Sequence, residues 1–190
     1  MRLITMTEIT GIRDSIGQLT SFRKHITGSV STALLYAIIS PLSFYLALAL
    51  PTYLTGHSTE TRMIGALWAM ITAIIVAQDT RAATENTAWL EVIGGLIGAL
   101  AGGIYFVFFP FSILGMGILI GIVVFICEIL RVPTYIRFAA FTVAIVMVIS
   151  ALNPDIPPFF NAAHRVLEVI IGCAVAVVFV RIWQRVFPIS

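Results

Sequence analysis

Leu90-Glu91-Val92-Ile93-Gly94-Gly95 has a near copy in this chain. It is Leu167-Glu168-Val169-Ile170-Ile171-Gly172, 77 positions on, and five of the six positions are identical. Each copy opens a long apolar run. A carboxylate at the start of such a run is costly in a bilayer, so having it twice points to function as well as to architecture. The preceding segments echo each other more weakly. Trp68-Ala69-Met70-Ile71-Thr72-Ala73 falls on Phe138-Ala139-Ala140-Phe141-Thr142-Val143 at an offset of 70, so the second connection is longer by seven residues.

Composition sets the class. The chain is 59% hydrophobic and 11% charged, with a mean hydropathy of +1.05. A soluble domain carries roughly 25% charged residues. Apolar runs near the ~20 residues that cross a hydrocarbon core recur along the chain. Only helices and closed barrels can span, and these unbroken runs are helical. The expectation is an all-α membrane protein in contact with the lipid bilayer. Cys127 and Cys173 lie inside apolar runs and read as packing residues, not as a disulfide or metal pair.

Two regions are expected. Residues 1–29 are polar, and Ile9, Ile12, Ile16, Leu19, Phe22 and Ile26 recur at helical spacing. They predict an amphipathic helix on the cytoplasmic membrane surface, or one packed on a symmetry mate. Residues 30–187 hold six spans: 30–50, kinked at Pro41, then 63–78, 88–109, 111–130, 134–152 and 163–187.

Cations orient the bundle. With both termini inside, nine Lys and Arg residues fall on the cytoplasmic side, and only Arg62 and Arg165 fall outside. That is the positive-inside pattern, and it places the chain in a bacterial inner membrane with cytoplasmic termini. The second and fifth spans then run in opposite directions, as do the third and sixth. Two inverted three-helix repeats follow, a common construction of secondary transporters, with the substrate site where the repeats meet. This arrangement puts Glu91 near the inner mouth and Glu168 near the outer one.

The polar residues of the spans carry two readings each. Glu91 and Glu168 either cap and pack their helices or protonate and gate during transport. Glu168 has Arg165 three residues earlier. Glu91 has no cation at helical spacing, so its partner must come from another helix or from water. Arg137 and Arg165 are snorkelling anchors or carboxylate contacts. Gln78 and Asp79 cap a helix or line an inner vestibule. Glu128 and Arg131 read as a local surface pair. Gly94, Gly98 and Gly102 recur every fourth residue, Gly117 and Gly121 repeat the spacing, and Gly172 closes the second copy. Such rows let helices approach closely in lipid, and they offer more close-packing faces than one small bundle needs, which predicts a homodimer. No metal-ligand spacing, cofactor fingerprint or catalytic motif is present, and no nucleic-acid surface. An enzyme is not expected.

Trp68, then Ile71-Thr72-Ala73-Ile74-Ile75-Val76-Ala77-Gln78, a short polar loop with Ala83-Thr84, and Gly94-Gly95-Leu96-Ile97-Gly98 resemble the fusaric acid resistance protein family. The second copy, Arg165-Val166-Leu167-Glu168-Val169-Ile170-Ile171-Gly172, resembles that family's Arg-x-x-Asp/Glu-x-x-x-Gly. Aromatic acid exporters and plant aluminium-activated malate transporters are relatives of the group. The resemblance implies a six-helix unit that moves small organic anions, often aromatic carboxylates, and pairs with a second unit. Glu91 stands where the family's first copy carries Arg, Gly95 where it carries Thr, and Asp79 where Pro is common. The family's large cytoplasmic domain has no counterpart here, which implies a stand-alone version or one that needs a partner. The alternative expectation is a non-transporting scaffold that keeps the fold, which the missing first-copy Arg favours.

Overall fold

A computed structural model describes residues 6–49 and 59–187. They form six α-helices and no strand: α1 Met6–Ala49, α2 Thr59–Val76, α3 Arg81–Phe108, α4 Ile113–Ile129, α5 Ile136–Leu152 and α6 Pro158–Val186, with a 3₁₀ turn at Pro133–Tyr135 before α5. Five helices are long and apolar enough to cross a membrane; α4 is apolar but shorter, at 17 residues.

The fourth span is thus tighter than the expected 111–130. Ser112 starts α4, its Oγ accepting from the Gly115 amide at 2.9 Å. Arg131 ends it in the left-handed region, at φ 57°. The Arg131 amide donates to the Glu128 carbonyl and the Val132 amide to the Cys127 carbonyl, which closes the last turn before Pro133. Among the described residues no ion pair joins Arg131 to Glu128, because the chain has turned out of the helix between them. At 1.5 Å per residue α4 covers about 25 Å, short of a hydrocarbon layer of ~30 Å.

Residues 1–29 and the first span were expected as separate elements; the backbone from Met6 to Ala49 is one helix. Gly28 is isolated, and the Ser29 Oγ donates to the His25 carbonyl at 3.0 Å, so nothing at that point breaks the ladder. The apolar positions Ile9, Ile12, Ile16 and Leu19 lie outside the residues whose side chains are described. Pro41 sits inside α1. It has no N–H to donate, and Ser40 and Ser43 supply hydroxyl donors to the Tyr36 and Ile39 carbonyls at 2.7 and 2.8 Å.

Two helices occupy the centre. α3 packs on α5 and α6, α6 packs also on α2, α1 covers α2 and α6, and α4 leans on α5 at one edge. The two ends of the bundle are called here the Arg62 end, where α2 starts, and the Gln78 end, where it stops.

Close helix contacts depend on glycine. A Cβ at Gly98 would run into the Ala139 carbonyl and lie 2.8 Å from the Thr142 Cβ, both on α5. A Cβ at Gly172 would lie 2.5 Å from the Ala69 carbonyl and 2.8 Å from the Thr72 Cβ, both on α2. Ala139 and Thr142 follow Ala69 and Thr72 by 70 residues, and Gly172 follows Gly98 by 74. The same contact is therefore made twice, α3 on α5 and α6 on α2. Gly94 and Gly102 also meet α5, whereas nothing lies within 4 Å of a Cβ placed at Gly117 or Gly121. Those two α4 glycines do not bring helices of this chain together.

Candidate functional site

Glu91 lies ten residues into α3, about 15 Å from its start, and Arg165 seven residues into α6, about 10 Å from the opposite end. The two helices run antiparallel, so both side chains reach the middle of the bundle. The Arg165 Nη2 stands 3.9 Å from the Glu91 Oε1. Its Nη1 stands 3.6 Å from the Glu168 Oε2, one turn along α6. Glu91 is 1% exposed and Arg165 2%. Glu91 thus finds its cation on another helix. The expected separation of Glu91 and Glu168 into two mouths is replaced by one cluster around a single guanidinium.

Neighbours fix this cluster. The Thr72 Oγ1 donates to the Glu91 Oε1 at 3.4 Å. The Trp68 ring lies 5.6 Å from the Arg165 Cζ, within cation–π range, and Trp68 stands edge-on to Phe141 at 5.1 Å. The Glu168 carboxylate occupies the space that a side chain at residue 65 would need; Gly65 leaves it free. Thr142, fully buried, lies near Gly95 on α3, one turn beyond Glu91.

Two features set the chemistry. Two carboxylates share one cation, so with all three groups ionised the cluster carries one net negative charge. Second, both charge contacts are longer than a hydrogen bond. Among the described residues none of the three guanidinium nitrogens has a hydrogen-bond partner, and neither has the Glu91 Oε2. Buried N–H donors are costly to leave unmatched, and a planar guanidinium with free donors is suited to bidentate contact with a carboxylate.

Access differs between the ends. At the Arg62 end a cavity of about 30 Å³ reaches Arg165 and Glu168 past Arg62, Gly65, Trp68 and His164. It has room for water but not for an aromatic acid. At the Gln78 end a cavity of about 650 Å³ is lined by Ser31, Tyr36, Gln78, Asp79, Trp183 and Gln184. Trp183 donates to the Ser31 Oγ at 2.8 Å, and Gln184 to the Asp79 carbonyl at 2.9 Å, tying α6 to α1 and to the turn before α3. An apolar cluster with Val76, Val169, Cys173 and Ala176 fills the stretch of α6 between Glu168 and Val180.

The structure therefore brings Glu91, Arg165 and Glu168 together, and places Gln78 and Asp79 on the wall of the larger cavity. Arg137 joins neither. It is exposed at the start of α5, 5.9 Å from the Phe138 ring. Gly65, Thr72 and Thr142 were not read as site residues. The two threonines sit at matching positions of the weak repeat at offset 70, which was the available signal.

The model of the fusaric acid resistance protein-like family matches residues 42–179. No curated protein and no solved structure matches the chain.

Proposed function

The chain belongs to the fusaric acid resistance protein-like family, a membrane transport family, and from that premise we propose that it moves small organic anions, aromatic carboxylates first, across a bacterial inner membrane. The observation that carries this reading is the Arg165 guanidinium, buried in the middle of the bundle with both of its carboxylate contacts longer than a hydrogen bond. A carboxylate entering a low-dielectric layer loses its hydration at a cost of several kcal/mol unless fixed cations and donors replace it. Arg165 supplies both. Gln78 and Asp79 form part of the vestibule from which the anion approaches. The termini lie in the cytoplasm, so the larger cavity faces inward, as suits an exporter, and two copies assemble as a homodimer.

The inverted repeat belongs to the same proposal. The doubled glycine contact supports it, with a register of 70 for α2 and α5 and 74 for α3 and α6. In that register Glu91 is the counterpart of Arg165, and Gly94 that of Glu168. The central ion pair then joins two equivalent positions across the repeat axis.

Flux of radiolabelled benzoate into proteoliposomes, with protein-free vesicles as the baseline, tests the reading. Arg165→Ala should abolish protein-dependent flux, and Arg185→Ala, in the last turn of α6, should leave it intact. Equal flux in both variants would remove Arg165 from the path. A second reading, a scaffold that does not transport, draws on the small size of the cavity beside Arg165. It predicts no protein-dependent flux in the unmodified chain.

A further inference from the structure

We propose that Glu168 takes up one proton for each carboxylate that binds Arg165, so that anion and proton occupy the centre together. This rests on the anion-transport reading above and adds the co-substrate and the residue that carries it.

Arg165 faces Glu91 at 3.9 Å and Glu168 at 3.6 Å. A substrate carboxylate arriving with both glutamates ionised would bring the cluster to two net negative charges. Like charges at such separations in a low dielectric repel strongly. An arriving proton cancels the added charge, and the cluster keeps the net charge it had before.

Geometry selects Glu168 over Glu91 as the acceptor. Glu91 is held by the Thr72 hydroxyl and sealed at 1% exposure. The Glu168 side chain is 16% exposed and borders the cavity at the Arg62 end. The charged and titratable groups around it are Arg165 and His164 on α6, Arg62 on α2 and, across Arg165, Glu91 on α3. Among the described residues, α1 and α5 give the same cavity only apolar side chains, Ala47 and Ile145 among them.

The step balances. A proton from water in that cavity adds to a Glu168 carboxylate oxygen, the neutral acid releases its hold on Arg165, and the substrate carboxylate takes its place. When the substrate leaves, the proton returns to water and Glu168 pairs with Arg165 again. Anion and proton bind together, so the loaded centre carries the same net charge as the empty one.

Benzoate binding to the purified full chain in detergent tests this. Calorimetry gives the affinity, and a pH indicator in weakly buffered solution gives protons taken up per benzoate bound. The unmodified protein should take up about one proton, and its Kd should rise about tenfold per pH unit while the free protein holds both glutamates ionised. Glu168→Gln should bind benzoate with no proton uptake and a flat Kd. Glu168→Asp, which keeps an acid at that position, should keep the slope. Proton uptake near zero in the unmodified protein overturns the proposal, whatever the variants do. So does a pH slope that survives Glu168→Gln or vanishes only in Glu91→Gln. No benzoate binding at all would sink the anion reading itself, and with it this one.

Discussion

Glu91 and Arg165 come from different helices, 74 residues apart, and meet at 3.9 Å with almost no solvent on either side chain. Their contact joins α3 to α6 at the centre of the bundle. Removing Arg165 would leave two carboxylates without their shared cation.

Arg165→Ala should destabilise the protein by about 3–5 kcal/mol, the range for breaking a buried pair on one side. The triple variant Arg165→Met, Glu91→Gln, Glu168→Gln has no charge to strand and should recover most of that loss. Thermal unfolding in detergent measures both. A triple variant no more stable than Arg165→Ala would show that the loss comes from packing around the guanidinium.

Gly98→Leu and Gly172→Leu drive a side chain into a neighbouring helix backbone. Each should cost at least the ~1–3 kcal/mol of an overpacked core. Gly117→Leu has open space and should change stability by less than about 0.5 kcal/mol. The melting temperatures of the three variants, side by side, decide this. A large effect at Gly117 would mean that another copy of the chain covers α4.

The two buried threonines should part company. The Thr72 hydroxyl donates to Glu91, so Thr72→Val should cost about 1 kcal/mol or more. The Thr142 Oγ1 has no partner among the described residues, so Thr142→Val should be neutral or stabilising. Chemical or thermal unfolding of the pair is the check, and equal losses would refute the distinction.

Single cysteines report the topology. In a background lacking Cys127 and Cys173, a cysteine at Asp155 should react with an impermeant maleimide from outside intact cells. One at Thr80 should react only after the membrane is opened. Asp155 sits in the α5–α6 loop and Thr80 caps α3, at opposite ends of the bundle. Reversed labelling would turn the larger cavity outward and remove the case for export.

The helices were legible because apolar runs of fixed length have few other ways to exist in a membrane. The join at Ser29 was not, since helix polarity can change along α1 without a backbone break. The copied stretch and the doubled glycine contact point to different registers. Leu-Glu-Val-Ile aligns Glu91 with Glu168, whereas the glycine contacts align Gly98 with Gly172, three residues away. Three residues are most of a helical turn, so either register keeps the apolar face inward, and letter identity cannot separate them. Only backbone approach at Gly98 and Gly172 does. Glu91 lacks a cation at helical spacing, and no spacing rule along one helix can supply a partner from another. Arg137 carried the same signal as Arg165, a cation opening an apolar run, and it is exposed at the start of α5.

Gly65 and Glu168 share one volume: the carboxylate lies where the first carbon of any other residue at 65 would be. The two positions are therefore not free to drift independently. A lineage that gains a methyl group at 65 must shorten or redirect the acid at 168, and one that shortens the acid relaxes the demand for glycine. Across homologous chains, residue size at these positions should trade off, a compensation visible in sequence comparison alone. It should persist in lineages that have changed substrate, since it arises from the space between α2 and α6.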